Sequence, residues 1–402
     1  MPYICNGNWY EFMRFKVIPI LITVFWLAAV QAESQVGSPV LEEKYRQAMA
    51  LMAAFQFDQA QALLSDCYHH EPSNTDYLLK IAYCNVQTGR YPDAKLFYAQ
   101  VLKLDSLNAE ALGALGNIAE RESNYGKAAG YYQRLIQMDS TNAFYFKKNG
   151  FAARRRGQAL PALGYFLRAN ELNDKDIETI DQLTDIYLAL NQLDYAGQIL
   201  TKGLQLDPRN LKLLYNKATL ENKLKNYDLV AAAVEAAMEQ GDTSDYFQML
   251  LGVAYLHLDS LDRAVFHLKA ICDREADSEY THHFLGLAYR QQGQIDEAAL
   301  EFEKAIEMGI SDKMPDFHAD LAAILENRNQ RKAAIAHFQA AYDFDPRPEF
   351  LFHLARNADH YYKDKKIALR QYEQYLATGH QAYREVAAER VRLLKEQQFF
   401  SK

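Results

Sequence analysis

Small residues return along this chain every 34 positions, at Ala60, Ala94, Ala128, Ala162, Ala196, Val230, Ala264 and Ala298, then after one step of 36 at Ala334, and again at Ala368. Four places after each stands a large apolar or aromatic residue: Leu64, Tyr98, Tyr132, Phe166, Leu200, Val234, Leu268, Phe302, Phe338 and Tyr372. Residues i and i+4 share one face of an α-helix, so the bulky side chain fills the space beside the crevice that the small one opens. Twelve places before the small residue lies a second small site, filled by Ala48, Ala82, Gly116, Gly150, Thr184, Ala218, Gly252, Gly286 and Ala322. Two small sites per period predict two helices in close approach.

Breakers mark where those helices stop. In the second period Asp76 to Gln87 reads helical, Thr88-Gly89-Arg90 turns, and Pro92 opens the next helix, where its missing N–H is not needed. Gly157, Gly293 and Asn191 occupy the same turn elsewhere, as a helix end requiring positive φ demands. The second helix is expected to end at Glu71-Pro72, Asp207-Pro208 and Asp345-Pro346, because the residue before proline is disfavoured in the α region. A helix-turn-helix unit repeated at a fixed period buries its apolar face only against its neighbours, so the chain is expected to be a stack.

Taken together, the 34-residue period, the small residues in the eighth and twentieth places, the large apolar residue in the twenty-fourth and proline near the thirty-second resemble a tetratricopeptide repeat (TPR) protein. The resemblance implies an all-α, right-handed α-solenoid of about ten repeats over residues 41–382, with a capping helix and tail over 383–402. Repeats begin in this register at Leu41, Thr75, Ala109, Ala143, Ile177, Leu211, Asp245, Glu279, Pro315 and Glu349. The family's tryptophan early in the first helix is missing, and its tyrosine in the eleventh place survives only as Tyr187, Tyr255 and Tyr289. The tenth repeat departs furthest, with Arg356 where a small residue belongs and Asp359 where an aromatic would sit. In the final segment Val386, Ala387, Val391 and Leu394 are expected on one apolar side, as a terminal cap requires.

A solenoid grows without the size limit of a single globular core, so 402 residues need not divide into separate folds. The net charge of −8 is spread without a basic arm, which argues against a nucleic-acid partner. Val17 to Val30 is free of charge, follows Arg14 and Lys16, and precedes Val30-Gln31-Ala32. That pattern predicts a secretory signal peptide over residues 1–32, with Met13 a natural start, and a linker over 33–40. The expected location is the periplasm of a Gram-negative cell. An uncleaved inner-membrane anchor is the alternative, although the run falls short of the ~20 apolar residues of a span. Four cysteines are too few for a disulfide framework. Cys67 and Cys84 lie on helices expected to pack together, where they form a bridge or two buried thiols, and Cys272 has no evident mate.

No HExxH, G-x-S-x-G, phosphate-loop or dinucleotide motif occurs, and the expectation is a non-enzymatic chain without a cofactor. The pairs His69-His70 and His282-His283 are not expected to hold a metal, because adjacent helical residues diverge. What remains is the groove. The resemblance implies that places 2, 5, 6, 9, 12 and 13 of each first helix face a partner. These include Asn117 and Arg121, then Lys147, Lys148, Phe151, Arg154 and Arg155, then Lys212, Tyr215 and Asn216. Cations with amides and an aromatic suit a carboxylate terminus or an acidic peptide. The family's chaperone clamp is not carried over, since Phe151 stands where the clamp has asparagine and Asp181 and Asp185 intervene. Farther along, Tyr246, Met249, Tyr280, His283, Phe284, Phe350, His353 and Tyr361 fill the same places as peptide anchors or as packing, and dimerisation competes for them. The leading expectation is a scaffold for extended segments of other proteins in envelope assembly or secretion. A sensor module and a glycan or cell-wall peptide binder are the alternatives.

Overall fold

The computed structural model describes residues 39–309 and 311–400. Among them are 21 helices and no strand. Of the described residues, those up to Ile186 form one compact unit and those from Tyr187 a second.

In the first unit the helices are α1 (39–53), α2 (Phe57–His70), α3 (Thr75–Gln87), α4 (Tyr91–Leu104), α5 (Ala109–Arg121), α6 (Tyr125–Met138), α7 (Ala143–Arg155), α8 (Ala159–Leu172) and the start of α9 (Ile177–Ala189). The second unit continues through α10 (Leu193–Leu206), α11 (Leu211–Leu224), α12 (Tyr227–Met238), α13 (Asp245–His257), α14 (Leu261–Cys272), α15 (Glu279–Gln291), α16 (Ile295–Met308), α17 (Met314–Asn327), α18 (Arg331–Phe344), α19 (Pro348–Tyr361), α20 (Lys366–Ala377) and α21 (Arg384–Phe400). Within each unit successive helices pack on one another, which is the stacking of an α-solenoid.

Local chemistry sets the boundaries. Asparagine side chains cap the first helices of several pairs: Asn74 accepts from the Asp76 and Tyr77 amides, Asn108 from Ala111 and Asn142 from Phe144, each satisfying donors that a helix start leaves open. At the turn inside a pair the backbone goes left-handed, at Gly157 (φ 71°) and Asn191 (φ 56°) among others. α2, α10 and α18 stop before Glu71-Pro72, Asp207-Pro208 and Asp345-Pro346.

Packing follows the periodic pattern. All ten small residues of the twentieth place are fully buried, from Ala60 to Ala368, and so are the ten bulky residues four places on. Burying one such side chain contributes about 1.5–3 kcal/mol, so the pattern supplies much of the core. In four pairs the first small site is a glycine lying directly against the bulky residue of the second helix. An added Cβ at Gly116 would lie 2.6 Å from the Tyr132 ring, at Gly150 2.9 Å from Phe166, at Gly252 2.5 Å from Leu268 and at Gly286 2.6 Å from Phe302. Glycine there is a packing requirement. Cys67 and Cys84 are buried, unbridged thiols.

The irregular pair α19–α20 resolves as ion pairing. Arg356 holds the Glu326 carboxylate with Nε and Nη2 at 2.7 and 2.5 Å, and buried Asp359 takes Arg390 of α21 at 2.5 and 3.1 Å. Charge replaces apolar contact where the stack meets its last helix. That helix buries Ala387 and Leu394 with Val391 packed beside them, but Val386 is exposed, contrary to the expected apolar side. Positions 387, 391 and 394 share a face, and 386 sits about 100° away from 387.

Candidate functional site

A cleft of about 530 Å³ opens on the first helices of successive pairs in the first unit. α5 contributes Asn117, Glu120 and Arg121, spaced i, i+3 and i+4, while α7 contributes Phe144, Lys147, Lys148, Phe151 and Arg155 along one stripe. Tyr125 of α6 and Glu178 of α9 complete the lining. Four cations thus face two carboxylates.

The four are not equivalent. Lys147 is held by Asp176 at 2.8 Å and Glu178 at 3.0 Å, and Lys148 by Glu120 at 2.6 Å. Burial alone would lower the Lys147 ammonium, but the two carboxylates overcome it and hold it above its usual value. Burial likewise acts to raise the Asp176 carboxyl, which bonds to Lys147 and Thr179 hold below its usual range. Arg121 has no carboxylate partner among the described residues; its guanidinium lies 4.9 Å over the Tyr91 ring. Arg155 is exposed and has no polar partner among the described residues. The field that the cleft presents to a ligand therefore comes from the two arginines. Asn117 accepts from the Tyr132 hydroxyl at 3.1 Å, and Phe151 lines the cleft while packing edge-on against Phe166 at 5.2 Å. Arg154 points elsewhere, to Asp185 at 2.9 Å and to Gln182.

In the second unit Tyr215 stacks on Tyr246 at 4.5 Å, both partly exposed, with the Tyr246 hydroxyl 2.8 Å from that of Thr219. Burial, opposed by the Thr219 bond and aided by the neighbouring Tyr215 hydroxyl, pushes the Tyr246 phenol up to about 12. Lys212 is exposed on the same helix as Tyr215. Asn216, expected to face a partner, is buried instead, because it shares a helical face with buried Leu213 and Leu220. His283 is engaged internally, Nε2 lying 2.9 Å from Asp320 and the ring 4.7 Å from Phe317. Tyr280 packs edge-on to Phe317 at 6.3 Å. Phe350 is buried and His353 faces Glu326 at 3.4 Å, which leaves Tyr361 exposed among the later aromatics. His282 and His283 diverge, as adjacent helical residues must: His282 turns to Asp277 and Glu301.

Sequence profiles described as tetratricopeptide repeat match residues 51–118, 111–143 and 285–347. The chain is a tetratricopeptide repeat protein. The comparison with curated proteins finds no match. Among solved structures, a tetratricopeptide repeat protein from Parabacteroides merdae is 18% identical over 62% of this chain and 98% of its own, with a TM-score of 0.45. PilF of Pseudomonas aeruginosa is 20% identical over 48% and 88%, at 0.41. Cut9–Hcn1, from the APC/C, is 12% identical over 87% and 76%, at 0.46.

The tetratricopeptide fold supports a protein–protein interaction scaffold, and proteins of this family are generally non-catalytic. No helix among the described residues is long and apolar enough to cross a membrane. The proposed signal segment, residues 1–32 with Met13, lies outside the described residues, as does most of the linker. Sequence reasoning missed Phe144, Glu120 and Glu178 as cleft lining, although all three occupy the second or twelfth place of their repeats. It also treated all cations of the stripe alike, since a linear chain does not show that Asp176 and Glu178 close on Lys147.

Proposed function

We propose that this tetratricopeptide protein is an exported scaffold whose cleft on α5 and α7 holds an acidic stretch, or the free carboxylate end, of an extended partner segment. The observation that carries the reading is a pair of guanidinium groups, Arg121 and Arg155, on the lining with no carboxylate partner among the described residues. Guanidinium binds carboxylate through two parallel bonds, and Phe144, Phe151 and Tyr125 beside it supply apolar surface for the flanking residues. Lys147 and Lys148 act differently: neutralised by Asp176, Glu178 and Glu120, they hold the walls in place. The setting we propose is the periplasm, in envelope assembly or secretion, because a charge-free run after Arg14 and Lys16 ends in a small-residue cleavage pattern.

The test is binding of a labelled acidic peptide to the full chain by fluorescence anisotropy. Arg121→Glu with Arg155→Glu should weaken it by about tenfold or more, each charge-assisted bond contributing about 1.5–3 kcal/mol. Unchanged affinity in the folded double variant discards the cleft as the site. Cell fractionation with N-terminal sequencing tests export separately, and an unprocessed chain in the cytoplasm would refute it.

A further inference from the structure

Where α14 hands over to α15, three side chains of different chemistry converge outside the cleft. Cys272 closes α14, Asp277 sits in the six-residue connection, and His282 lies in the first turn of α15. One donor atom from each lies within 4.8 Å of the other two. We propose that Cys272, Asp277 and His282 form a site for a divalent transition metal, zinc being the ion whose preferences they match. Thiolate, carboxylate and imidazole are the three donor types of zinc proteins, and three protein ligands leave a fourth position for water or a partner's side chain.

A second shell is already in place. His282 Nδ1 lies 2.5 Å from Glu301 Oε2, and the other oxygen of Glu301 is held by Lys304 at 2.9 Å. Metal-binding histidines commonly give their second nitrogen to a carboxylate in this way, which sets the ring's orientation and raises its donor strength. The opposite nitrogen, Nε2, faces Asp277 Oδ2 at 2.7 Å, which places the two donor atoms side by side for one ion. Cys272 loses its thiol proton on coordination, and the ion supplies the charge that stabilises the thiolate. Burial, with Asp277 and Glu301 nearby, pushes that thiol up to about 11, so without metal it stays protonated and unreactive. The spacing explains how a short segment does this: four residues separate each donor from the next, and Glu275 takes a left-handed φ of 53° between them. Joining the end of α14 to the start of α15, the ion would clamp one helix pair to the next.

The test uses the full chain, stripped with chelator under reducing conditions and titrated with cobalt(II). One equivalent should give visible d–d bands and a thiolate-to-cobalt charge-transfer band, both abolished by added zinc(II). Cys272→Ser, nearly isosteric, should remove the charge-transfer band while Cys67 and Cys84 remain. Glu301→Gln, which leaves all three ligands in place, should weaken binding by about tenfold to a hundredfold. Circular dichroism checks that each variant is folded. The absence of a charge-transfer band at saturating cobalt, or its persistence in Cys272→Ser, overturns the proposal.

Discussion

α5 carries two glycines one turn apart, Gly113 and Gly116, and the structure assigns them opposite roles. A Cβ on Gly113 would meet nothing within 4 Å, whereas one on Gly116 would lie 2.6, 2.9 and 3.2 Å from three atoms of the Tyr132 ring. That ring is fully buried and its hydroxyl is bonded to Asn117, so it has little freedom to withdraw. Alanine gains about 1 kcal/mol over glycine in a helix interior, equally at both positions. Overpacking a tight core costs about 1–3 kcal/mol. Gly113→Ala should therefore stabilise by about 1 kcal/mol, and Gly116→Ala should leave the chain between unchanged and about 2 kcal/mol less stable. The difference between the two variants isolates the overpacking cost, because the helix preference cancels. Ala82 before Tyr98 and Ala322 before Phe338 show that the fold accommodates alanine beside a ring, so Gly116→Ala should still fold. Stability is best read in α5 itself, by hydrogen exchange alongside urea unfolding, since stacked repeats open in parts. Tyr132→Leu reproduces the pairing of Ala48 with Leu64 and should reduce the cost of Gly116→Ala when the two are combined. Equal stability of the two alanine variants, or strict additivity with Tyr132→Leu, would refute the claim that this contact sets the helix spacing.

Burial acts to raise the Glu326 carboxyl, but bonds from His353 and Arg356 overcome it and hold it at about 2. Because the folded value lies below the ordinary 4.5, its stabilisation is present above that value and fades as pH falls toward 2. Glu326→Gln should thus cost on the order of 2–3 kcal/mol near neutrality and progressively less below about pH 4.5, measured by urea midpoints; a gap independent of pH would contradict this. Arg390→Ala strips the principal partner from buried Asp359, leaving Lys365 at 3.6 Å as the cation among the described residues. The loss should stay below the about 3–5 kcal/mol of a fully orphaned buried charge and should release α21 to limited proteolysis, with Asp359→Asn restoring protection in the double variant.

Periodicity made the repeat legible because it is enforced residue by residue. A small residue at each close approach and a bulky one beside it are steric requirements of every helix pair, so they recur at equal spacing whatever the chain binds. The turns and caps were legible for the same reason: φ, N–H supply and side-chain acceptors act over a few neighbours. The groove was legible only as positions. Places 2, 5, 6, 9, 12 and 13 pointed to Arg121 and Arg155, but equally to Asn216, which is buried, and to His283, which Asp320 engages.

What the amino-acid order determined by itself was the unit: two helices, their boundaries, their buried faces and the number of times they recur. Tertiary structure alone decided which charges remain available. Lys147 and Arg155 lie on the same stripe of α7, yet carboxylates of the next pair close on Lys147 and leave Arg155 without a polar partner among the described residues. It also brought Cys272, Asp277 and His282 to Glu301, a residue of the following helix. The reason is physical. Burial and helix geometry are set by near neighbours along the chain, whereas the free charge of a site depends on the distance between side chains that only packing brings together.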